Sequence, residues 1–374
     1  MQNQELADLA AKFKKEFPRL EQMPVVSGFD AFVDEIISVV EERSGPDEWK
    51  PVSTMTQLAE LIAAAAGKSS LREIIVQRIN CGGCTVNLGD GLYSLGIPVY
   101  AFATMGEPIH SAFKEFAAKC TSCVSLEVDP GRTLALEFTD GKYMLSSVTQ
   151  LAALTPEHLE KKLADGFYLD CCRRARMLAL TNWSMYPHMT ECWEKLNAEV
   201  FTSLKERPPL FIDLVDPSSR TETDISRMLQ TVSRFEQNTQ TILGLNGVEA
   251  NVIARVLRIP EAKENPTELS EQAVALQKKL DIDTVVIHCV KLAAMANADG
   301  SVAVAGPYCP NPKKSTGAGD RFNAGFCTGV LLGLTPREKL LLGSACSGFF
   351  VREARSASAE ELSQFIKEWS LGKI

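Results

Sequence analysis

Short apolar runs rich in β-branched residues alternate along the chain with longer segments whose apolar residues recur at helical spacing. The runs occupy residues 23–28, 97–103, 177–182, 209–215, 241–246 and 284–290. Strands of this length separated by helices are typical of βαβ units, in which helices cover both faces of a parallel sheet. The sequence therefore predicts an α/β fold with a central, mostly parallel sheet flanked by helices. Ligands of such sheets bind at the carboxyl ends of the strands.

Two stretches interrupt this alternation and predict a small β lid. Residues 124–147 alternate apolar and polar side chains and contain Pro-Gly and Asp-Gly turn signals, which is typical of antiparallel hairpins. Residues 31–45 have the same short, β-branched character, and residues 54–66 predict an amphipathic helix. No internal repeat or long linker divides the chain, so we expect a single α/β domain over residues 1–374, with the lid covering its strand ends.

The composition limits the class of ligand. Hydrophobic residues make up 45% of the 374 residues, which is ample for a large core, and the formal net charge is -8. An acidic protein is a poor match for nucleic acid or anionic membranes, because both need a basic footprint. Residues 1–17 lack the unbroken apolar core of a signal peptide, and no apolar run reaches the roughly 18 residues of a membrane span. We therefore expect a cytoplasmic protein that binds a small molecule.

The eleven cysteines include two C-x-x-C pairs, Cys81/Cys84 and Cys120/Cys123. Four thiolates in this arrangement would suit a tetrahedral zinc site, and a single pair would suit thiol redox chemistry. The alternative is that Gly82 and Gly83 are the functional residues and that the cysteines beside them are small neighbours. Reduced thiols are the default, because disulfide-rich proteins are usually small and secreted.

The strongest chemical signal lies near the C-terminus, in residues 313–334. The small residues of Thr316-Gly317-Ala318-Gly319 permit a tight turn, and Asp320 then opens a helix. Such a turn directs backbone N–H groups toward one point at the positive end of a helix dipole, which suits a phosphoryl group in transfer. A carboxylate beside that anion is costly unless it takes a proton from an attacking hydroxyl. The alternative for Asp320 alone is an ordinary N-terminal helix residue.

This segment resembles the C-terminal signature of the ribokinase-like (PfkB) carbohydrate kinase family, D-T-x-G-A-G-D-x-F-x-A-G-F. The resemblance implies a ribokinase-like fold and transfer of the γ-phosphoryl of ATP to a hydroxyl of a sugar or related small alcohol. It implies that Asp320 is the general base and that Thr316 helps to bind phosphate. It also implies an anion hole formed by the backbone amides of Gly317, Ala318, Gly319 and Asp320.

Two segments in the first quarter of the chain resemble further landmarks of the family. Residues 27–34, SGFDAFVD, resemble the G-x-N/D-x-x-x-D loop, and residues 80–87, NCGGCTVN, resemble the G-G-x-x-x-N motif. Side chains of these motifs bind substrate hydroxyls, and the glycines let substrate approach the backbone. The resemblance thus implies a substrate site formed by Asp30, Asp34, Gly82, Gly83 and Asn87. From the residues alone, the two aspartates could also be solvated turn carboxylates.

Two segments in the second half of the chain resemble motifs that contact the nucleotide and its phosphates in the family. Residues 213–220, DLVDPSSR, partly match D-x-N-x-R, which implies that Arg220 lies near the transferred phosphate. Residues 245–250, LNGVEA, resemble N-x-x-E, which implies nucleotide binding by Asn246 and Mg²⁺ binding by Glu249 through water. A helix N-cap Asn followed by an ordinary Glu is the alternative for the second segment.

The pattern fails at two places. The family's T-x-G-x-x-G segment corresponds to residues 287–294, IHCVKLAA, which lack both glycines, so the phosphate donor stays open between ATP and another nucleotide. Lys314 stands where the signature begins with aspartate. His288 has no sequence partner for base catalysis or zinc binding and is interpreted as a pocket-wall or strand-end residue.

The sequence as a whole predicts an ATP- and Mg²⁺-dependent carbohydrate kinase with a sugar-like substrate. A nucleoside kinase of the same family and a catalytically impaired sugar- or nucleotide-binding relative stay as alternatives. Because the lids of the family often pair between subunits, the resemblance also implies that a homodimer could form through the lid.

Overall fold

A computed structural model describes residues 2–374 of the chain. The strands are β1 (Val25–Phe29), β2 (Phe32–Arg43), β3 (Trp49–Pro51), β4 (Ile74–Gly82), β5 (Val99–Ala103), β6 (Ser122–Ser125), β7 (Gly131–Phe138), β8 (Gly141–Ser147), β9 (Met177–Thr181), β10 (Pro209–Asp213), β11 (Gln240–Asn246), β12 (Thr284–His288), β13 (Leu292–Asn297) and β14 (Gly300–Ala305). The helices are α1 (Gln2–Glu16), α2 (Met55–Ala64), α3 (Cys84–Ser94), α4 (Lys114–Lys119), α5 (Pro156–Leu163), α6 (Phe167–Arg174), α7 (Met189–Glu199), α8 (Glu222–Phe235), α9 (Gly247–Leu257), α10 (Pro266–Leu280), α11 (Ala318–Leu331), α12 (Pro336–Glu353) and α13 (Ala359–Ser370).

The large sheet has the strand order β14-β13-β12-β11-β10-β9-β1-β5-β6. From β12 to β6, each neighbouring pair of strands is parallel. Strands β13 and β14 add an antiparallel edge. The predicted apolar runs form β1, β5, β9, β10, β11 and β12, so the predicted mostly parallel sheet is confirmed.

The sheet separates two hydrophobic cores because its central strands are buried on both faces. Val25 and Val26 are neighbours on β1 but belong to different cores. The core that contains Val25 includes side chains of α1, α3, α11, α12 and α13, whereas the core that contains Val26 includes side chains of α5 to α10. Within residues 2–374, none of the helices combines the length and the apolar character that crossing a membrane requires.

A second, smaller sheet forms the predicted lid. It has the strand order β3-β2-β7-β8, and β4 pairs with β2. Strand β2 and the β7–β8 hairpin lie in the predicted segments, and α2 lies in the predicted helix. The side chains of Ile37, Val39, Val52 and Leu136 form a small core of their own on this sheet.

The lid differs from the sequence prediction in its strands β3 and β4, which lie outside the predicted lid segments, and in the start of its second segment. Residues 124–125 belong to β6 of the large sheet, so the second lid segment begins only at β7. Strand β4 was not predicted because its sequence, IIVQRINCG, lacks a clean alternation. A bulge opposite residues 36–37 of β2 shifts its register by one residue, which explains why the alternation breaks.

Candidate active site

The carboxyl ends of the parallel strands meet at one edge of the large sheet, and α3 and α11 begin there. Polar residues collect at this edge. Asp30 follows β1, Asn182 follows β9, and Asp213, Asn246 and His288 end β10, β11 and β12. This edge therefore has the side chains that a polar ligand requires, in the place where open α/β sheets bind ligands.

Asp30 is completely buried and fixes the start of α3. Its carboxylate accepts hydrogen bonds from the N–H groups of Cys84 (2.7 Å) and Thr85 (2.8 Å). It also accepts from Oγ1 of Thr181 (2.7 Å) and Nδ2 of Asn182 (3.0 Å). Because the protein itself supplies four donors, little acceptor capacity is left for a ligand. We therefore infer that Asp30 positions α3 and the end of β9, and its predicted contact with substrate stays a prediction.

Asp34 lies on the lid, on the face of β2 that adjoins the start of α3. A Cβ atom on Gly82 would overlap Oδ2 of Asp34, so only glycine lets this carboxylate lie against β4. Burial raises the pKa of Asp34 above its ordinary value, and Thr133 opposes this with a hydrogen bond. Gly83, with φ 101°, is the N-cap of α3. The fold thus brings Asp34, Gly82 and Gly83 together, and their role in binding substrate stays a prediction.

Asn87 links this group to the C-terminal glycine turn. Its Nδ2 lies 3.7 Å from the position that a Cβ on Gly317 would occupy. Gly317 has φ 89° and is the N-cap of α11. That left-handed conformation is strained for residues with a side chain, which explains the glycine. The two glycine motifs, far apart in sequence, therefore lie side by side.

The glycine turn presents three unpaired amides. The N–H groups of Gly317, Gly319 and Asp320 donate to no backbone carbonyl within residues 2–374. The N–H of Ala318 differs, because it donates to the carbonyl of Ser315 at 3.0 Å. Unpaired N–H groups at a helix N-terminus bind anions. We infer that Ala318 stabilises the turn and that the other three amides are available to a phosphoryl group.

Asp320 has the electrostatics of a base that works near neutral pH. Burial, and next the neighbouring Asp213 carboxylate, raise the pKa of Asp320 to about 8. Asp213 is held by Nδ2 of Asn323 (2.6 Å) and the N–H of Val215 (3.0 Å). Proton abstraction is most efficient when the pKa of the base lies near the operating pH. The arrangement therefore suits removal of a proton from a substrate hydroxyl.

A cavity of about 710 Å³ opens on the side of the glycine turn that faces away from Asp34 and the lid. Its wall includes Asn246, Glu249, His288 and Gly319. Oδ1 of Asn246 accepts from the N–H of Glu249 (3.0 Å), and Oε2 of Glu249 accepts from the N–H of Asn246 (2.8 Å). The two residues thus form a capping box at α9 and line a nucleotide-sized cavity at the same time.

Magnesium fits the oxygen donors of this wall. Asp216, Asn246 and Glu249 supply the ligand type that Mg²⁺ prefers. Burial, with Asp213 as the next cause, raises the pKa of Glu249 to about 8, so a bound cation would favour its ionised form. In the described chain, no three His, Cys, Asp or Glu side chains are close enough to hold a metal together. Mg²⁺ would therefore complete its shell with water and phosphate oxygens.

Two predicted phosphate-binding residues lie outside the wall of the cavity. The guanidinium of Arg220 stacks on Trp183 at 4.3 Å and donates to the carbonyls of Ser184 (3.3 Å) and Tyr186 (3.2 Å). Arg220 thereby fixes the loop that follows β9. Thr316, the second of these residues, is also not part of the wall, whereas its neighbour Ser315 is.

The two C-x-x-C pairs lie in different places. Cys81 is on β4 and Cys84 opens α3, whereas Cys120 caps α4 and Cys123 is on β6. No disulfide joins them in the described residues. The predicted zinc alternative is therefore not assembled in residues 2–374.

Elemental analysis checks this interpretation of the cysteines. We expect the purified protein to contain far less than one zinc per chain, because the described residues include no group of ligands placed to hold it. Cys81→Ser should retain the sugar-dependent activity of the parent protein. About one zinc per chain, lost in this variant together with activity, would restore the zinc interpretation.

Sequence reasoning missed the support around Asp320. Arg321 is buried and donates from Nη2 to Oδ2 of Asp90 (2.8 Å) and from Nε to Oγ of Ser356 (3.1 Å). It therefore fastens the start of α11 to α3. Asp213 begins the partial match over residues 213–220, but its role beside Asp320 was not predicted, although it ends the apolar run PLFID. A polar residue at a strand end in this fold commonly faces the ligand.

Comparison with known proteins identifies the family of the chain. A family model described as prokaryotic ketohexokinase matches residues 3–369. The chain belongs to the prokaryotic ketohexokinase family. A ketohexokinase from Haloferax volcanii is 25% identical over 351 residues, which are 93% of this chain and 92% of that protein. The protein is thus a carbohydrate kinase, a phosphotransferase with an alcohol group as acceptor, as predicted.

Solved structures confirm the ribokinase-like fold. The ribokinase of Arabidopsis thaliana, complexed with ribose and ATP, matches with a TM-score of 0.63 and 17% identity. That match covers 92% of this chain and 99% of the other. The fructokinase of Xylella fastidiosa, with bound ATP, matches with a TM-score of 0.64 and 13% identity over 94% of this chain and 99% of the other. This member of the prokaryotic ketohexokinase family thus shares the architecture of ribokinase-fold sugar kinases.

Proposed function

We propose that this protein transfers the γ-phosphoryl of ATP to a hydroxyl of a ketohexose, with Asp320 as the general base. The observation that carries the proposal is the glycine turn. Its three unpaired amides and Asp320 lie between a nucleotide-sized cavity and the lid. The family and the Haloferax volcanii relative favour a ketohexose among the sugars.

On the sugar side, the acceptor hydroxyl approaches Asp320 from the lid. Asp34 and Asn87 orient the sugar through its other hydroxyls, and Gly82 and Gly83 let it approach the backbone. Asp320 takes the proton of the acceptor hydroxyl while its oxygen attacks the γ-phosphorus. The amides of Gly317, Gly319 and Asp320 hold the charge of the phosphoryl group in transfer.

On the nucleotide side, Asn246 and Glu249 would hold Mg²⁺ against the phosphates, with Asp216 nearby. Bound Mg²⁺ neutralises phosphate charge. The capping box keeps the Glu249 carboxylate in one orientation. Because Glu249 is only 6% exposed, it is poorly solvated until a cation arrives.

The lid has two roles in this proposal. Closing over the sugar excludes water, which suppresses hydrolysis of ATP. Its outer face also exposes apolar side chains, including Ile79 (56%), Tyr143 (53%) and Leu145 (46%). Such a patch favours an interface, and we propose a homodimer through the lids. No nucleic-acid or membrane partner is proposed.

Sugar-dependent ATP consumption tests the proposed function. The panel should contain ketohexoses, aldohexoses, pentoses and nucleosides, each with Mg²⁺ and the parent protein. We expect kcat/KM for the best ketohexose to exceed that of the aldohexoses by about 10²-fold, because a misplaced hydroxyl leaves buried polar groups unpaired. Preference for a nucleoside would contradict the ketohexose assignment. Nucleotide binding without phosphorylation of any acceptor would contradict the proposed phosphoryl transfer.

A further inference from the structure

His288 ends β12, beside the glycine turn and inside the nucleotide cavity. Its Cα pairs with that of Asn246 on the parallel neighbour β11. Its ring lines the cavity together with Gly319 and Glu249. The ring is thus on the nucleotide side of the glycine turn, whereas Asp34 and the lid are on the other side.

Two contacts fix the orientation of the imidazole. The ring packs against Phe322 of α11 in a tilted arrangement, with centroids 4.9 Å apart and an interplanar angle of 32°. A Cβ on Gly319 would lie 3.1 Å from Cε1 and 3.6 Å from Nε2 of His288. The edge that contains Nε2 therefore faces the backbone of Gly319, whose N–H donates to no backbone carbonyl of residues 2–374. The ring edge that contains Nε2 thus lies next to the unpaired N–H of Gly319 in the glycine turn.

The hydrogen-bonding capacity of His288 is not used within the described protein. Residues 2–374 contain hydrogen-bonded rings in His110 and His158, which bond to Ala112 and Leu126. Among the same residues, none forms such a bond with the ring of His288. Burial keeps this ring neutral by lowering its pKa to about 4, so it has one N–H to donate. Without a partner in the described protein, the ring nitrogens can bond only to solvent or to a ligand, and the cavity is the space into which the ring opens.

We infer that the His288 imidazole donates a hydrogen bond to the phosphate chain of the bound nucleotide, on the leaving-group side of the transferred phosphoryl. The inference rests on the proposed function. During transfer, the γ-phosphorus gains a bond to the sugar oxygen, whose proton goes to Asp320. The bond from the γ-phosphorus to its bridging oxygen breaks, and that electron pair stays on the leaving diphosphate. His288 keeps its proton and stabilises this growing charge by donation.

This placement accounts for a departure seen in the sequence. The segment 287–294 lacks the glycines of the T-x-G-x-x-G pattern. Cys289 and Val290 follow His288 in the wall of the cavity and offer side chains of little polarity. His288 therefore supplies a polar side chain beside two residues of little polarity, and Lys291 of the same segment also lines the cavity.

Binding of MgADP to the full-length protein, measured by calorimetry, tests the inference. His288→Leu, which removes the donor at similar volume, should weaken MgADP binding by about 10-fold or more, because hydrogen bonds to charged groups are the strong ones. Its kcat should fall by at least a similar factor, while the KM for the sugar stays unchanged. His288→Gln, which restores an N–H donor, should recover most of the affinity. His158→Leu is the matched control, since it removes a histidine hydrogen bond on α5, away from the cavity.

Wild-type MgADP affinity in a folded His288→Leu variant would overturn the inference while leaving the kinase assignment intact. Failure of the wild-type protein to bind MgADP would instead overturn the proposed function, and the inference with it. Selective ¹⁵N-histidine labelling of the wild-type protein covers the case of a variant that does not fold. MgADP should then shift the Nε2 signal of His288 and leave that of His158 in place; an unshifted His288 signal overturns the inference.

Discussion

Asp320→Asn is expected to lower kcat for sugar phosphorylation by about 10³-fold or more, with the dissociation constants of sugar and MgADP within about 3-fold of the parent values. Asparagine has the same shape but cannot accept the proton of the acceptor hydroxyl. The substitution leaves the backbone amides of the glycine turn in place, including the amide of the substituted residue itself, so binding should survive. Single-turnover kinetics and calorimetry measure the two quantities separately.

The matched control is Asp170→Asn, an exposed aspartate in the first turn of α6. It removes the same charge from a helix N-terminal turn outside the site, and activity should be unchanged. Equal loss of activity in both variants would show that the effect is one of helix stability. If both variants keep the activity of the parent protein, Asp320 is not the general base.

The pH dependence follows from the raised pKa of Asp320, about 8 in the free protein. Because the carboxylate is the active form, kcat/KM should rise as pH increases through that value, and the rise should vanish in Asp320→Asn. The stability of the folded protein depends on pH in the opposite direction. Below the ordinary pKa of 3.8 the group is protonated in both folded and unfolded chains, and charging it at higher pH favours the unfolded chain. Asp320→Asn should therefore raise Tm at about pH 9 and leave it unchanged at about pH 3.5.

The parts of the fold that were predictable are those with a local pattern. The runs that form β1, β5, β9, β10, β11 and β12 were apparent because strands buried on both faces need unbroken apolar sequences. The turn at Gly317 was equally apparent, because its left-handed φ requires glycine. Strand β4 was missed because its side chains are largely exposed and its register contains a bulge.

The parts of the site that were not predictable depend on which groups meet in space. Asp30 and Asp34 are only four residues apart in the sequence, and both match a substrate-binding motif. The structure shows that Asp30 is surrounded by four protein donors, whereas Asp34 lies on the lid. No sequence pattern reports how many donors surround a carboxylate. The same reason explains why Arg321, bound to Asp90 on α3, escaped notice.

Asp34→Asn is expected to lower kcat/KM for the sugar by about 10²-fold, mainly through KM. In the proposed site the Asp34 carboxylate accepts hydrogen bonds from substrate hydroxyls, and the amide would present a donor to one of them. Hydrogen bonds to charged groups are among the strongest in proteins. The KM for ATP should change little, because the lid and the nucleotide cavity lie on opposite sides of the glycine turn. Initial rates at saturating ATP and varied sugar measure the effect.

Glu35→Gln provides the control from the next residue of the same strand. Successive side chains of a strand point to opposite faces, so Glu35 lies on the face of β2 away from Asp34 and pairs there with Arg132. An ion pair with one largely exposed partner contributes little, so this variant should keep the kcat/KM of the parent protein. An unchanged KM for sugar in Asp34→Asn would mean that the lid carboxylate does not touch the substrate. A parallel rise of KM in both variants would mean that charge on the lid, not a direct contact, controls sugar binding.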